Sequence, residues 1–454
     1  MTVGPTVTAM VDEGLGNSAY LVDLGDGRAL VVDASRDLRV LRAAADKRGF
    51  RVAFAADTHL HADFLSGARQ LAVHDGATVL ASAAGHREFE HTGLRDGDEV
   101  DLGGLRLKAL GTPGHTDEHL AFLLLDGERP LGVFTGGSLL VGAAARTDLI
   151  DPDRTEELAR AQYRSIQRLL ALPDGVAVWP THGGGSFCSA PAGGERTSTI
   201  GHEKATNPLL QAADEDGFVT ALVGSLGSFP PYFLRLADIN RRGPSLLARS
   251  PALTALSAYQ VRDMLTNGAT LVDVRPVTDF GAGHVPKSLS IALRDVFGTW
   301  LGWVAPSDRP IVILRGPDQD PDEIIWQAAK VGYDNVIAEL HGGIAGWRAA
   351  GFPVTTTRLD RRATTPGRSL IDIRQASEFT TGHVPGAMHL ELGELSDKLV
   401  RLPPGRLAVM CGHGERAMTA ASLLERVGRD EVVTVLGGPQ DWADHQEMAL
   451  ETGR

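Results

Sequence analysis

Short, wholly apolar runs recur through the second half of the chain, each followed by a stretch with helical spacing. Ile311-Val312-Ile313-Leu314 and Leu407-Ala408-Val409-Met410 are the clearest. A strand that is apolar on both faces belongs inside a parallel sheet covered by helices, so the pattern predicts an α/β architecture. The pattern also repeats. Leu271-Val272-Asp273-Val274-Arg275 returns as Leu370-Ile371-Asp372-Ile373-Arg374, and Gly283-His284-Val285-Pro286 returns at the same offset as Gly382-His383-Val384-Pro385. Gly342-Gly343 with Trp347 matches Gly437-Gly438 with Trp442. A repeat this long is a duplicated domain rather than a solenoid unit. The copies are expected over residues 251–360 and 361–454, joined by the polar segment Thr355–Arg368.

The first half reads differently. Strands are expected at Ala19–Leu24, Ala29–Asp33, Ala53–Ala56, Leu105–Leu110 and Leu120–Leu125, with helices at Leu38–Arg48 and Phe64–His74. This is a mixed, layered α/β domain. Residues 206–250 look mostly helical and complete a first domain over 1–250. A chain of 454 residues exceeds one ordinary core, in keeping with this division. The formal net charge of -13 argues against nucleic acid or an anionic membrane as partner. No apolar run approaches the roughly 20 residues that cross a bilayer. Met1–Pro5 has neither a basic start nor an apolar continuation, so no signal peptide is expected. Two cysteines make no disulfide framework, which fits a reducing, cytoplasmic setting. A homodimer is the default expectation for assembly.

One of those cysteines stands at a strand-to-helix junction, in Cys411-Gly412-His413-Gly414-Glu415-Arg416. Backbone N–H groups curling around the sulfur and a helix N-terminus behind it favour a thiolate and any anion bound to it. Gly412 and Gly414 give the loop the freedom that a tight cradle needs, and Arg416 closes it with a fixed cation. Cys411 and Arg416 are the candidate catalytic residues, with Gly412, His413, Gly414 and Glu415 as candidate substrate-binding residues. In the first copy the corresponding loop is Arg315-Gly316-Pro317-Asp318-Gln319-Asp320, with no nucleophile and with acids where an anion would sit. That copy is expected to be inactive. Asp273 with Arg275, and Asp372 with Arg374, are expected as buried ion pairs, and His284 and His383 as partners of backbone groups.

Taken together, the Asp-Val/Ile-Arg strand ends, Gly-His-Val-Pro, the cysteine loop and the late Gly-Gly-x-x-x-Trp resemble rhodanese domains across the whole second half. The resemblance implies that the Cys411 thiolate takes the outer sulfur of thiosulfate or a persulfide and passes it to a thiol.

In the first half, three loops past strands carry histidines: Thr58-His59-Leu60-His61-Ala62-Asp63-Phe64, Thr112-Pro113-Gly114-His115, and Pro180-Thr181-His182. Such loops can converge on one metal at a sheet edge, and His59, His61, Asp63, His115 and His182 are the candidate ligands. The pattern resembles the metallo-β-lactamase fold, an αββα sandwich. Joined to two rhodanese copies, it resembles the persulfide dioxygenase–rhodanese fusions of bacterial sulfide detoxification. That family implies a non-haem iron held by two His and one Asp. The positions map to His59, His115 and the turn Phe134-Thr135-Gly136-Gly137-Ser138, where Gly137 fills the carboxylate slot. Phe64 stands where the wider motif ends in His. Three readings stay open: a three-His site of His59, His61 and His115 for iron or zinc, a two-His iron site, or a scaffold without metal. Cys188, in Gly183-Gly184-Gly185-Ser186-Phe187-Cys188, resembles a cysteine near the family's metal pocket and is a candidate for sulfur relay or substrate binding. The expected function is a Cys411 sulfurtransferase fused to a persulfide-dioxygenase-like domain with an eroded metal site. An active dioxygenase with an altered iron site, and a non-catalytic persulfide sensor, are the alternatives. A low-molecular-weight persulfide and thiosulfate are the expected small-molecule partners.

Overall fold

A computed structural model describes residues 6–189, 194–248, 251–361 and 367–453. The chain divides into two compact units near residue 250. The N-terminal residues up to 5 and linker residues 362–366, both interpreted from sequence above, lie outside the described residues. Among the described residues no helix is long and apolar enough to cross a membrane.

The N-terminal unit is built on two six-stranded sheets. The first runs from Val7–Asp12 through Asn17–Asp23, Arg28–Val32, Arg51–Ala56 and Thr78–Ser82 to Thr92–Leu94. The second has Ala177–Pro180, Arg129–Gly136, Leu120–Asp126 and Leu105–Gly111 at its centre. Inner faces of both sheets share one core that includes Tyr20, Val32, Leu107, Phe122 and Phe134. Their outer faces are covered by Arg39–Arg48 and Ala68–Asp75 on one side and by Thr155–Leu170 and Glu215–Gly224 on the other. Leu120–Asp126 is buried at every residue but the last, because it lies between the opposite sheet and this helical layer. The expected helix from Phe64 starts later, at Ala68. The Asn240 side chain holds the preceding loop open by accepting from the Ser66 N–H (2.8 Å) and donating to the His61 and Phe64 carbonyls (2.8 and 2.9 Å). Asn240 lies on Phe233–Arg242, so the helical extension braces the histidine loop.

The second unit holds the duplication. Each copy is a five-stranded sheet, and the two share one order. The first has Thr254–Leu256, Val336–Leu340, Ile311–Leu314, Thr270–Asp273 and Leu289–Ser290 side by side, all parallel. The second has Arg358–Asp360, Val432–Val435, Leu407–Met410, Ser369–Asp372 and Met388–His389. The boundary therefore falls before the expected residue 361: Arg358–Asp360 already belongs to the second sheet, where it pairs with Val433–Val435. The two ion pairs form as expected. Arg275 and Arg374 each grip their aspartate and then donate to a carbonyl, Gly283 (2.9 Å) and Gly382 (2.8 Å). His284 and His383 bond the Phe280 and Phe379 carbonyls through Nδ1 at 2.9 and 3.0 Å.

Helix Glu415–Arg426, which carries the cysteine loop, docks on the edge strand of the first copy. Thr419 Oγ1 donates to the Ser290 carbonyl (2.6 Å), and the Ser290 N–H donates to Ser422 Oγ (3.1 Å). One turn on, Glu425 sits 2.7 Å from His284 Nε2 and accepts from the Lys287 N–H (3.1 Å) and Thr355 Oγ1 (3.2 Å). The copy without a cysteine thus fixes the helix of the copy that has one. Glu425→Ala would leave His284 Nε2 with Thr355 Oγ1 alone (2.8 Å) and the exposed Lys287 N–H to water, and is expected to cost about 1 kcal/mol in urea-unfolding stability. An unchanged midpoint would show that the clasp is dispensable.

Candidate functional site

Three histidines meet at one end of the N-terminal sandwich, where strands give way to loops. His59, His115 and His182 are all buried, and their ligand nitrogens lie within 4.8 Å of one another. Their Nδ1 partners fix which nitrogen carries hydrogen. His115 Nδ1 lies 2.7 Å from the Arg146 carbonyl, which can only accept. His182 Nδ1 faces Asn17 Oδ1 at 3.0 Å and Asp63 Oδ2 at 3.3 Å, again two acceptors. Thr58 Oγ1 spends its hydrogen on Asp33 (2.8 Å) and is left to accept from His59 Nδ1 (2.9 Å). In their neutral forms the three rings therefore turn bare Nε2 lone pairs toward each other, and that of His115 has no hydrogen-bond partner. Burial holds His59 well below the usual imidazole range and brings His115 down to about 3, the positive character of neighbouring histidines adding to the effect. Neither imidazole has to shed a proton near neutral pH before binding a cation.

Converging lone pairs without a donor are unfavourable in a buried pocket and fit a metal ion. The separation of His59 Nε2 and His182 Nε2 is 3.4 Å. Two ligands about 2.0–2.1 Å from one tetrahedral ion stand about 3.3–3.4 Å apart. Each imidazole also has the outer partner that metal-binding histidines usually have: a carbonyl, a carboxylate with an amide, and a hydroxyl.

The trio differs from the expected His59, His61 and His115. His61 points Nε2 at Asp33 (3.1 Å) and stacks on Phe64 with ring centroids 4.1 Å apart. Burial disfavours its charged form, but Asp33 overrides this and raises its pKa. His61 Nδ1 and Asp63 Oδ1 are buried without partners, and both residues form a second candidate group with His182. Asp63 supports the trio from behind, through His182. His119 stacks on His59 (5.0 Å) and accepts from the Gly137 N–H (3.0 Å), bracing the ring behind the trio.

Gly137 has a physical reason here. A Cβ at this position would overlap the His115 ring, so imidazole fills the space a carboxylate side chain would need. Cys188 is fully buried. Burial pushes its thiol well above the usual range, and the Asp63 carboxylate adds to this. A thiol held protonated is a poor nucleophile, which weighs against the expected sulfur relay and leaves Cys188 as a buried neighbour of Asp63. Sequence reasoning missed Asp33, Thr58, Asn17 and the Arg146 carbonyl, all needed to orient these rings.

The second site is the cysteine loop. Cys411 follows Leu407–Met410 directly and is 1% exposed. Of the loop amides, Gly414 N–H reaches its sulfur, at 3.1 Å. Gly414 has φ +106°, in the region that favours glycine, and a Cβ there would press on Leu436. Gly412 has no positive φ, contrary to the expected role. His413 is exposed, and Glu415 opens the helix. Arg416 does not stand free. It grips Glu378 with both ends of its guanidinium (2.6 and 2.7 Å), and Trp300 of the first copy lies 5.5 Å away beneath it. Neither Glu378 nor Trp300 was singled out from sequence. In the first copy Arg315 is bonded to Glu339 (2.5 Å) and to the Gln319 carbonyl (3.0 Å).

His182→Ala should reduce retained iron or zinc more severely than the roughly 10- to 100-fold affinity loss typical of an outer-partner change, while His61→Ala should keep most of it. Metal analysis of the purified variants decides, and the opposite order would discard the trio. Gly137→Asp is expected to destabilise the fold by about 1–3 kcal/mol by overpacking rather than to improve the site. A thermal melt at or above that of the parent would contradict this.

Family models match both halves: the metallo-beta-lactamase superfamily over residues 12–182, and the rhodanese-like domain over 257–350 and 355–445. A hydroxyacylglutathione hydrolase of Ruegeria pomeroyi is 30% identical over 241 residues, covering 47% of this chain and 89% of its own. The persulfide dioxygenase ETHE1 of Homo sapiens is 27% identical over 217 residues, 47% of this chain and 75% of its own. The crystal structure of a metallo-beta-lactamase from Staphylococcus aureus superposes with a TM-score of 0.65 at 28% identity, over 74% of this chain and 99% of its own. The chain belongs to the metallo-β-lactamase superfamily, as a fusion of a persulfide-dioxygenase-like domain of that fold with two rhodanese-like domains.

Proposed function

We propose that the chain is a sulfur-handling enzyme whose working centre is the Cys411 loop. It moves sulfane sulfur from a low-molecular-weight persulfide or thiosulfate to a thiol. One observation carries the reading: Cys411 Sγ sits at the end of a buried strand, receives the Gly414 N–H at 3.1 Å and has Arg416 beside it. The same place in the first copy is an arginine tied to a glutamate.

In the first half-reaction the Cys411 thiolate attacks the outer sulfur of the donor. A new S–S bond forms, the donor's S–S bond breaks, and a thiolate or sulfite departs with the electron pair. In the second, an acceptor thiolate attacks the outer sulfur of the Cys411 persulfide and Cys411 leaves as thiolate. Charge and atoms balance without an outside oxidant. The Gly414 N–H, on a loop fixed by its left-handed turn, holds negative charge on sulfur in both halves.

A second reading places persulfide oxidation at the histidine cluster. The three bare Nε2 atoms support it, as does the likeness to a persulfide dioxygenase. His59, His115 and His182 would hold one iron or zinc ion, which when bound supplies a Lewis acid with open coordination positions. The chain's part is to aim the imidazoles, through Arg146, Thr58 and the Asn17–Asp63 pair, and by burial to keep His59 and His115 neutral.

Thiocyanate formation from cyanide, with glutathione persulfide or thiosulfate as donor, tests the first reading. Cys411→Ala should lower it by at least about a thousandfold, and chelation of metal should leave it unchanged. Intact protein that forms no thiocyanate above background from either donor would overturn the proposal. Iron in the purified protein with oxygen uptake on persulfide would establish the second reading beside the first, and metal-free protein with no uptake would remove it.

A further inference from the structure

We infer that Glu378 sets the donor preference of the Cys411 loop, by neutralising Arg416 so that the site favours a persulfide, which reacts through an uncharged S–SH group, over the thiosulfate dianion. The inference rests on the sulfurtransferase reading above and deepens it.

The Arg416 guanidinium is the one cation within the cysteine loop, and its two ends are spent on the two oxygens of Glu378, at 2.6 and 2.7 Å. The Arg416 side chain is 14% exposed and that of Glu378 37%, so the pair is partly sheltered. Burial opposes ionisation of Glu378, yet the guanidinium overrides this and holds the carboxyl below its usual range, so the carboxylate is charged whenever the enzyme is near neutrality. The next cation, Arg374, is likewise consumed by the buried Asp372 (2.7 Å) and by the Gly382 carbonyl. Glu415 adds a further carboxylate at the mouth of the loop. The groups around the sulfur therefore carry no surplus of positive charge.

Two donors make different demands on such a site. With thiosulfate, the thiolate and a dianion must come together, and sulfite leaves as a dianion. The loop must hold three negative charges with one N–H bond, a helix N-terminus and an arginine already paired. A persulfide is attacked in its protonated form R–S–SH, so one negative charge is shared among the reacting sulfurs throughout, and the carboxylates of a donor such as glutathione persulfide stay remote from them. Repulsion in a partly sheltered site penalises the first case more than the second.

Glu378 also has a structural duty. It accepts from the Gln375 N–H (3.1 Å) at the start of Ala376–Thr381, so loss of stability alone would not bear on preference. The informative readout is the ratio of second-order rates at which thiosulfate and glutathione persulfide load Cys411, followed by rapid quench and peptide mass. Glu378→Gln should raise the thiosulfate-to-persulfide ratio by roughly tenfold or more, and Glu378→Asp, which keeps the charge, should leave the ratio near that of the parent. In the unaltered protein the thiosulfate rate should climb more steeply with ionic strength than the rate for glutathione persulfide, whose reacting S–SH group is uncharged, a measurement that needs no variant to fold. Equal acceleration of both donors in Glu378→Gln, or a thiosulfate rate that rises no more steeply with salt than the persulfide rate, would overturn the inference and leave the sulfurtransferase reading standing. No loading of Cys411 from either donor would overturn both.

Discussion

The N-terminal unit turns on one buried carboxylate. Asp33, at the end of strand Arg28–Val32, accepts from the Thr58 N–H (2.7 Å), from the Thr58 and Thr181 hydroxyls, and from His61. Burial by itself would drive this carboxyl to protonate. The positive character of His61 and the hydrogen bonds from His61, Thr181 and Thr58 reverse that and hold it below the usual range. A buried charge so fully engaged cannot be moved without stranding its partners. Thr58 leads into His59, and Thr181 into His182, so the same carboxylate fixes two of the three imidazoles. It also draws His61 away from them.

The second unit solves a related problem with parallel sheets. At the carboxyl end of a buried strand the backbone must leave the sheet, and its freed N–H groups need partners. In the second copy one of them finds the Cys411 sulfur. In the first copy Arg315 stands there instead and serves the loop's own carbonyls and Glu339. Duplication has thus separated two tasks. One copy presents a nucleophile, and the other holds that nucleophile's helix in place through Ser290, His284 and Thr355 and lays Trp300 against its arginine.

Much of this was legible in the sequence because it follows from periodicity and repetition. Runs such as Ile311–Leu314 can only be buried strands, and the recurrence of Gly-His-Val-Pro after Asp-x-Arg fixed both copies. The strand Arg129–Gly136 was not foreseen, since Pro130 and Gly132 break its pattern and it is held by its neighbours in the sheet. Arg358–Asp360 is too short and polar to announce itself and joins the second sheet only through pairing. In the sites, residue types were legible but their company was not. Motif order suggested His59 with His61, whereas the fold pairs His59 with His182, because Asp33 and Phe64 claim His61 first. Nor does the sequence show that Arg416 is already paired, since Glu378 lies on another helix.

If Cys411 is the working thiol, sulfur passes through it and not through Cys188. Peptide mass mapping after anaerobic incubation with glutathione persulfide distinguishes the two. One added sulfur is expected on the peptide containing Cys411 and none on that containing Cys188. Sulfur on Cys188, or on neither cysteine, would contradict this.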